Sequence, residues 1–147
     1  MSITHDQFIV SNLKKDDFSL DYFKLLSQLS TIEPEKITKN EFNSFIDNLS
    51  NNHIIKVIKF QNKIIATITI LKETKILHNF KKVGHIEDVV VDINFRGLGL
   101  GKKLIEIAIN ECKDCYKIIL NCKDNKIGFY EKCGFINNNN QMTYNCL

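Results

Sequence analysis

The sequence predicts an α/β fold of the α+β kind: a mixed, mostly antiparallel twisted sheet flanked by helices. Three observations carry this. Apolar residues recur at helical spacing early in the chain and again over 98–112. Ile- and Val-rich runs at 53–60, 63–71 and 85–93 have the length and composition of strands. Between the last run and the second helical pattern lies a turn with three glycines, so a strand feeds directly into a helix. The expected order is β-α-α-β-β-β-α-β-α-β over one domain, 1–147.

Taken in order, residues 7–13 suggest a first strand. Asp16 or Asp17 is placed to cap a helix that carries Phe18, Tyr22, Leu25, Leu26 and Leu29 on one face. Pro34, the only proline, sits where a second helix can start, with Phe42, Phe45, Ile46 and Leu49 as its apolar stripe. The runs 53–60 and 63–71 flank Gln61-Asn62 and read as a hairpin. A strand at 85–93 leads into a helix over 98–112, with Leu100, Leu104, Ile105 and Ala108 facing in and Lys102, Lys103, Glu106 and Asn110 facing out. A strand at 116–122 and a short helix at 125–132 follow. Gly134 fits that helix's stop, and residue 135 onward reads as a final strand. The Asn run 137–140 reads as a turn.

Composition narrows the function classes. With 44% hydrophobic residues, including ten Phe, 147 residues can enclose a sizeable core. A net charge of +3 is mild, and no cluster of basic residues marks a nucleic-acid binder. The first ten residues lack a basic segment followed by an apolar one, so no signal peptide is expected. No run approaches the ~18 apolar residues that span a membrane. Five cysteines, an odd number in a chain of this size, favour free thiols and a cytoplasmic location. Cys112-Lys113-Asp114-Cys115 has no second pair at zinc-ribbon spacing, and His5, His53, His78 and His85 form no metal spacing. No metal is expected.

The glycine turn runs Arg96-Gly97-Leu98-Gly99-Leu100-Gly101. Glycine lets a backbone approach a ligand, and a helix N-terminus presents unpaired N–H groups and a positive dipole end. Together they suit an anion, most naturally a pyrophosphate. The dinucleotide pattern G-x-G-x-x-G fails, because Lys102 or Leu104 falls at its third glycine. The pattern G-x-x-x-x-G-K-[ST] fails at Arg96 and Lys103. What fits is R-x-x-G-x-G at Arg96, Gly99 and Gly101. Arg96 is the only arginine beside nineteen lysines, and its planar fork of donors suits phosphate.

On these residues, 85–135 resembles the GNAT superfamily of acetyl-CoA-dependent N-acetyltransferases. Within it, the chain is similar to the glucosamine-6-phosphate N-acetyltransferase family. That likeness rests on His85-Ile86-Glu87-Asp88-Val89-Val90-Val91, Cys115-Tyr116-Lys117-Ile118-Ile119-Leu120 and Gly128-Phe129-Tyr130-Glu131-Lys132-Cys133-Gly134-Phe135. The resemblance implies the GNAT fold, acetyl-CoA as cosubstrate and glucosamine 6-phosphate as acceptor, on the way to UDP-N-acetylglucosamine.

It also implies roles. Arg96, Gly97, Leu98, Gly99, Leu100, Gly101 and Lys102 would cradle the coenzyme, with Asn125, Lys126 and Phe129 beside it. A backbone N–H among Val89, Val90 and Val91 would hold the oxyanion of direct amine attack, with Val90 favoured. Tyr130 would protonate the leaving thiolate, a task suited to a phenol with a pKa near ~10. Glu87 and Asp88 would bind the sugar and its amine. Lys75, Ile76, Leu77 and His78 match a K-h-h-H segment that lines the sugar phosphate, and Tyr116 and Lys117 lie on the next strand. The family is dimeric through its final strand, which implies a homodimer here.

Three positions depart from the family. Asn121 stands where it carries Asp or Glu, so acid–base work would run through water and the backbone carbonyl of residue 121. Lys126 stands at a coenzyme-contacting Asn, with Asn125 one place earlier. Asn145 stands where an Arg reaches the sugar phosphate. A GNAT enzyme for another amine (a protein N-terminus, a lysine or a polyamine) and a non-catalytic CoA-binding domain remain the alternatives.

Overall fold

The computed structural model describes residues 4–146, so residues 1–3 and 147 of the expected domain lie outside it, as does the side chain of His5. Five strands form one sheet in the order β1-β2-β3-β4-β5. They are β1 (Ile9–Asn12), β2 (His53–Phe60), β3 (Lys63–Thr74), β4 (Lys82–Val91) and β5 (Cys115–Leu120). The first three pairings are antiparallel and β4 with β5 is parallel. The helices are α1 (Leu20–Leu26), α2 (Lys39–Asp47), α3 (Leu77–Phe80), α4 (Leu100–Glu111) and α5 (Ile127–Lys132). Here α3 is only a distorted turn, with His78 and Asn79 in left-handed conformation.

The central strand β3 explains the two-sided architecture. Side chains alternate across a sheet, and both of β3's faces are covered. Ile65, Ala66, Ile68 and Ile70 pack with Leu100, Leu104, Ile105 and Ala108 of α4 on one face. On the other, Ile64 joins Leu13, Tyr22, Phe23, Leu25, Phe42 and Val90 beneath α1 and α2. Thr67 is buried on β3 too, and its hydroxyl donates to the Lys56 carbonyl at 3.0 Å, so its polar group is satisfied. The hairpin at Gln61-Asn62 forms as expected, with both residues at positive φ (48° and 64°) as a tight two-residue turn requires.

Several boundaries differ from expectation. Ser19, not Asp16 or Asp17, caps α1 by accepting from the Tyr22 N–H at 3.2 Å. Asp17 is instead buried against Lys59 of β2 and accepts from the Lys14 N–H at 2.9 Å. A buried carboxylate gains more from a cation than from an exposed helix end. Leu29 lies beyond α1. Pro34 opens a 3-10 turn, Pro34–Lys36, and α2 starts later. Its capping box has the Thr38 hydroxyl accepting from the Glu41 N–H at 3.2 Å, while Glu41 accepts from the Thr38 N–H at 2.8 Å. Glycine at positive φ also delays α4: Gly99 (φ 77°) is its N-cap, so Leu98 precedes the helix. The expected helix at 125–132 opens as a 3-10 turn, Asp124–Lys126, before α5.

Residue 135 onward, expected as a final strand, pairs with no strand among the described residues. Its Ile136, Met142 and Tyr144 are exposed. A strand needs a ladder partner for its N–H and C=O groups, and none of the five strands supplies one to this stretch.

Candidate active site

Two irregularities in β4 open a cleft. First, Thr67 and Thr69 of β3 pair with Val90 and Glu87, so β4 holds two residues opposite one. That bulge puts Asp88 at φ 49°. Second, β4 and β5 pair only as far as Ile86 and Leu120. Beyond that rung the strands part, and residues Glu87 to Val91 lose their β5 neighbour. The space between is a cleft of about 920 Å³.

One wall of the cleft is the glycine turn. Asp92 accepts from the Asn94 N–H at 2.9 Å and closes the 3-10 turn Ile93–Phe95 that delivers Arg96. Phe8, Phe60 and Phe95 pack in series as tilted rings, with centroids 5.8 and 5.4 Å apart, and the last of them belongs to that turn. No side chain caps α4, so its first N–H groups stay open for an anion. Gly101 permits a close approach. A Cβ there would meet the Phe129 ring at 3.3 Å, so α5 packs directly on the first turn of α4.

Opposite the turn, β4 presents backbone and carboxylates. Glu87 and Asp88 are exposed on the bulge, and neither forms a salt bridge among the described residues. The Asp92 N–H donates to the Ile65 carbonyl at 2.8 Å, and the Val91 carbonyl instead receives the Arg96 Nε at 3.3 Å. Antiparallel strands alternate their donors edge by edge. Val90, paired with Thr67, therefore turns its N–H into the β3–β4 ladder. Val89, one residue earlier, lies within the bulge, and Val89, Val90 and Val91 all line the cleft. The Val90 side chain packs in the core beneath α1.

Tyr130 lines the far end, half-buried on α5 between Phe129 and Phe135 at ring-centroid distances of 5.0 and 6.1 Å. Burial, with lesser contributions from the Cys122 and Cys133 thiols, pushes its phenol above the ordinary value of 10.0. It is protonated at neutral pH and able to donate. Asn121 is exposed just past the last β4–β5 rung.

Most expected site residues meet in this cleft. Glu87 through Val91 lie along β4, and Arg96, Gly97 and Gly99 through Lys102 lie along the turn and α4. Asn121, Asn125, Lys126, Phe129 and Tyr130 complete it from the β5–α5 side. Leu98 is not part of its lining. Lys75, Ile76, Leu77, His78, Tyr116 and Lys117 also lie outside it, at the opposite end of the β4–β5 pair, where Lys82 and Val83 face Cys115 and Lys117. There His78 stacks on Tyr116 (centroids 4.1 Å), Lys117 Nζ sits 5.6 Å from the same ring, and Lys75 pairs with Glu73 at 2.5 Å. Asn145 lies in the exposed tail.

Sequence reasoning missed Gln28, Leu29, Phe95, Cys122 and Lys123, which also line the cleft. Gln28 and Leu29 carry no motif, and Leu29 reads as helix core by spacing alone. Among the described residues no group of three His, Cys, Asp or Glu side chains can hold a metal ion, and no helix is long and apolar enough to cross a membrane.

The sequence profile of the Acetyltransferase (GNAT) family matches residues 16–135. The chain is 40% identical over 146 residues to a glucosamine 6-phosphate N-acetyltransferase of Arabidopsis thaliana, covering 94% of this chain and 96% of that one. It is 38% identical over 149 residues to glucosamine 6-phosphate N-acetyltransferase 1 of Dictyostelium discoideum, covering 97% and 93%. The crystal structure of the Arabidopsis enzyme superposes with a TM-score of 0.89 at 39% identity, covering 95% of this chain and 98% of that one. A Trypanosoma brucei acetyltransferase superposes at 0.84 with 32% identity, covering 94% and 99%.

Proposed function

We propose that this chain, which belongs to the acetyltransferase (GNAT) family, transfers the acetyl group of acetyl-CoA to the amine of D-glucosamine 6-phosphate, giving N-acetyl-D-glucosamine 6-phosphate. One observation carries the reading: an anion-ready helix end and an acidic bulge lie along a single cleft whose floor is β4 backbone left without a β5 neighbour. The first suits a coenzyme pyrophosphate and the second an amino sugar. The product is a precursor of UDP-N-acetylglucosamine.

The chemistry is direct attack. The neutral amine adds to the thioester carbonyl, and the Val89 N–H holds the developing oxyanion. As the C–S bond breaks, Tyr130 gives its proton to the thiolate. The nitrogen's surplus proton leaves to solvent through a water that the backbone carbonyl of Asn121 orients by accepting its hydrogen bond, a contact the departure from Asp or Glu preserves. Arg96, the turn glycines and the first N–H groups of α4 bind the diphosphate, while Asn125, Lys126 and Phe129 flank the coenzyme. Glu87 and Asp88 hold the sugar hydroxyls and the amine.

The chain acts as a homodimer. Its exposed tail, with Ile136, Met142 and Tyr144, finds a ladder in a second copy, which removes that apolar surface from water. Lys75, Ile76, Leu77, His78, Tyr116 and Lys117, which lie outside their own chain's cleft, then serve the sugar phosphate across the interface. All five cysteines are free, which suits a reducing, cytoplasmic setting.

The test is mass-spectrometric. The protein is incubated with acetyl-CoA and glucosamine 6-phosphate, with glucosamine in parallel. Acetylated product from the phosphate alone is expected. No product from either, with coenzyme still bound, would redirect the reading to another amine. Light scattering checks the dimer, and a monomer at micromolar concentration would remove the shared site.

A further inference from the structure

Arg96 is the chain's only arginine, and two contacts fix its guanidinium. Its Nε donates to the Val91 carbonyl at 3.3 Å, and its Nη2 donates to Oε1 of Gln28 at 3.2 Å. Val91 closes β4, five residues before. Gln28 lies just after α1, sixty-eight residues away in sequence. Both partners line the cleft.

We infer that Gln28 is a positioning residue for the acyl donor: it holds Arg96 in the orientation that receives the coenzyme's diphosphate. The inference rests on the acetyl-CoA reading above. Three physical points support it. An arginine has five N–H donors, and the two anchors leave three for a ligand. A free arginine loses rotamer entropy when fixed, and a side chain held in place beforehand avoids much of that loss on binding. Finally, Gln28 is neutral. Its amide oxygen orients the fork without cancelling the positive charge, whereas a carboxylate there would compete with the phosphates.

The contact also joins two parts of the cleft wall that are distant in sequence, the segment after α1 and the glycine turn. That segment follows a helix packed beneath the opposite face of the sheet from α4. Gln28 thereby ties the diphosphate site to the helical layer beneath Val90.

The experiment uses Gln28→Met, which keeps the length and removes the oxygen. Acetyl-CoA is compared with S-acetylpantetheine, which lacks the diphosphate and the nucleotide. Gln28→Met is expected to raise the KM for acetyl-CoA about fivefold, equivalent to about 1 kcal/mol. Its kcat and its KM for S-acetylpantetheine should stay at the unmodified values. In an Arg96→Met background, adding Gln28→Met should change nothing further, because its partner is already gone. Unchanged acetyl-CoA affinity in Gln28→Met overturns the inference. So does a second, additive loss in the Arg96→Met background, or an equal rise with S-acetylpantetheine. Coenzyme A binding to the unmodified protein, followed by calorimetry, separates the two levels. No binding there overturns the acetyl-CoA reading itself, and binding there with an indifferent Gln28 overturns only the positioning role.

Discussion

Ile86 and Leu120 form the last rung between β4 and β5, and the cleft begins where that rung ends. Upstream, each strand satisfies the other's backbone. Downstream, β4 carries a bulge at Asp88, and its β5-facing edge has no strand partner among the described residues. Unpaired backbone is costly when buried, so its persistence in a lined cleft suits a ligand that pairs with it.

The glycine turn makes the first prediction. Gly99 sits at φ 77°, and beyond its chain neighbours no protein atom lies within 4 Å of the place a Cβ would take, so a side chain there is strained and enters open space. Gly99→Val should cost on the order of 1–3 kcal/mol in strain and should raise the KM for acetyl-CoA at least tenfold by crowding the phosphates. Gly99→Asn is the conformational control, since Asn tolerates the left-handed region. It should retain most of the thermal stability while still weakening acetyl-CoA. Unchanged acetyl-CoA affinity in both variants would remove the turn from the coenzyme site.

Asn121 tests the route of the amine proton. The backbone carbonyl needs no particular side chain, so Asn121→Ala should keep kcat within about threefold, the scale of a small surface change. A loss of ~100-fold, the size of a general-base deletion, would mean that the amide itself acts. Rapid-quench measurement of product formation separates the two outcomes.

Asp114 tests a structural ion pair at the foot of α4. Hydrogen bonds from Lys72, at 2.6 Å, and then Lys82, at 3.1 Å, hold its carboxyl at about 2, below the ordinary 3.8. A depressed pKa stabilises the fold fully above the unfolded value, and the gain is lost as pH falls through the folded one. The window is therefore about pH 4 down to about pH 2. Nearly half of the Asp114 side chain is exposed, so solvent screening keeps the contribution below about 1 kcal/mol. Asp114→Asn should lower Tm by a few degrees at pH 7 and converge on the unmodified protein as pH falls below about 2. A difference of undiminished size as pH falls from about 4 to about 2 would place the effect in packing instead.

Much of this was legible in the sequence because the signals are local. The Ile-rich alternation of β3, the Gln61-Asn62 turn and the helical stripe of Leu100, Leu104, Ile105 and Ala108 each lie within a few residues of their cause. The R-x-x-G-x-G spacing located one wall of the cleft for the same reason. What was not legible depends on distant partners. Asp17 left the α1 cap to Ser19 because Lys59, forty-two residues on, pairs with it. The bulge at Asp88 sits beside a run of valines, where a one-residue slip leaves no mark on hydrophobicity, so the pairing of Val90 with Thr67 emerged only from the ladder. Gln28 reaches the site through the packing of α1, which no motif encodes.

Tyr130 gives the sharpest test of the mechanism. Its phenol is the cleft's protonated donor at neutral pH, held above 10.0 chiefly by burial. If it supplies the proton to the leaving thiolate, Tyr130→Phe should lower kcat about 100-fold, within the usual range for a general acid, and leave the KM for acetyl-CoA nearly unchanged. The pH profile carries the sign. An acid must be protonated to act, so activity should fall only as pH rises through a value above 10, and that alkaline limb should vanish in Tyr130→Phe. The phenyl ring preserves the edge-to-face contacts with Phe129 and Phe135, so Tm should barely move. An acyl donor with a more acidic thiol leaves without protonation, so it should restore most of the lost rate in the variant. A Tyr130→Phe enzyme at full rate, or one that such a donor fails to rescue, would take Tyr130 out of proton transfer.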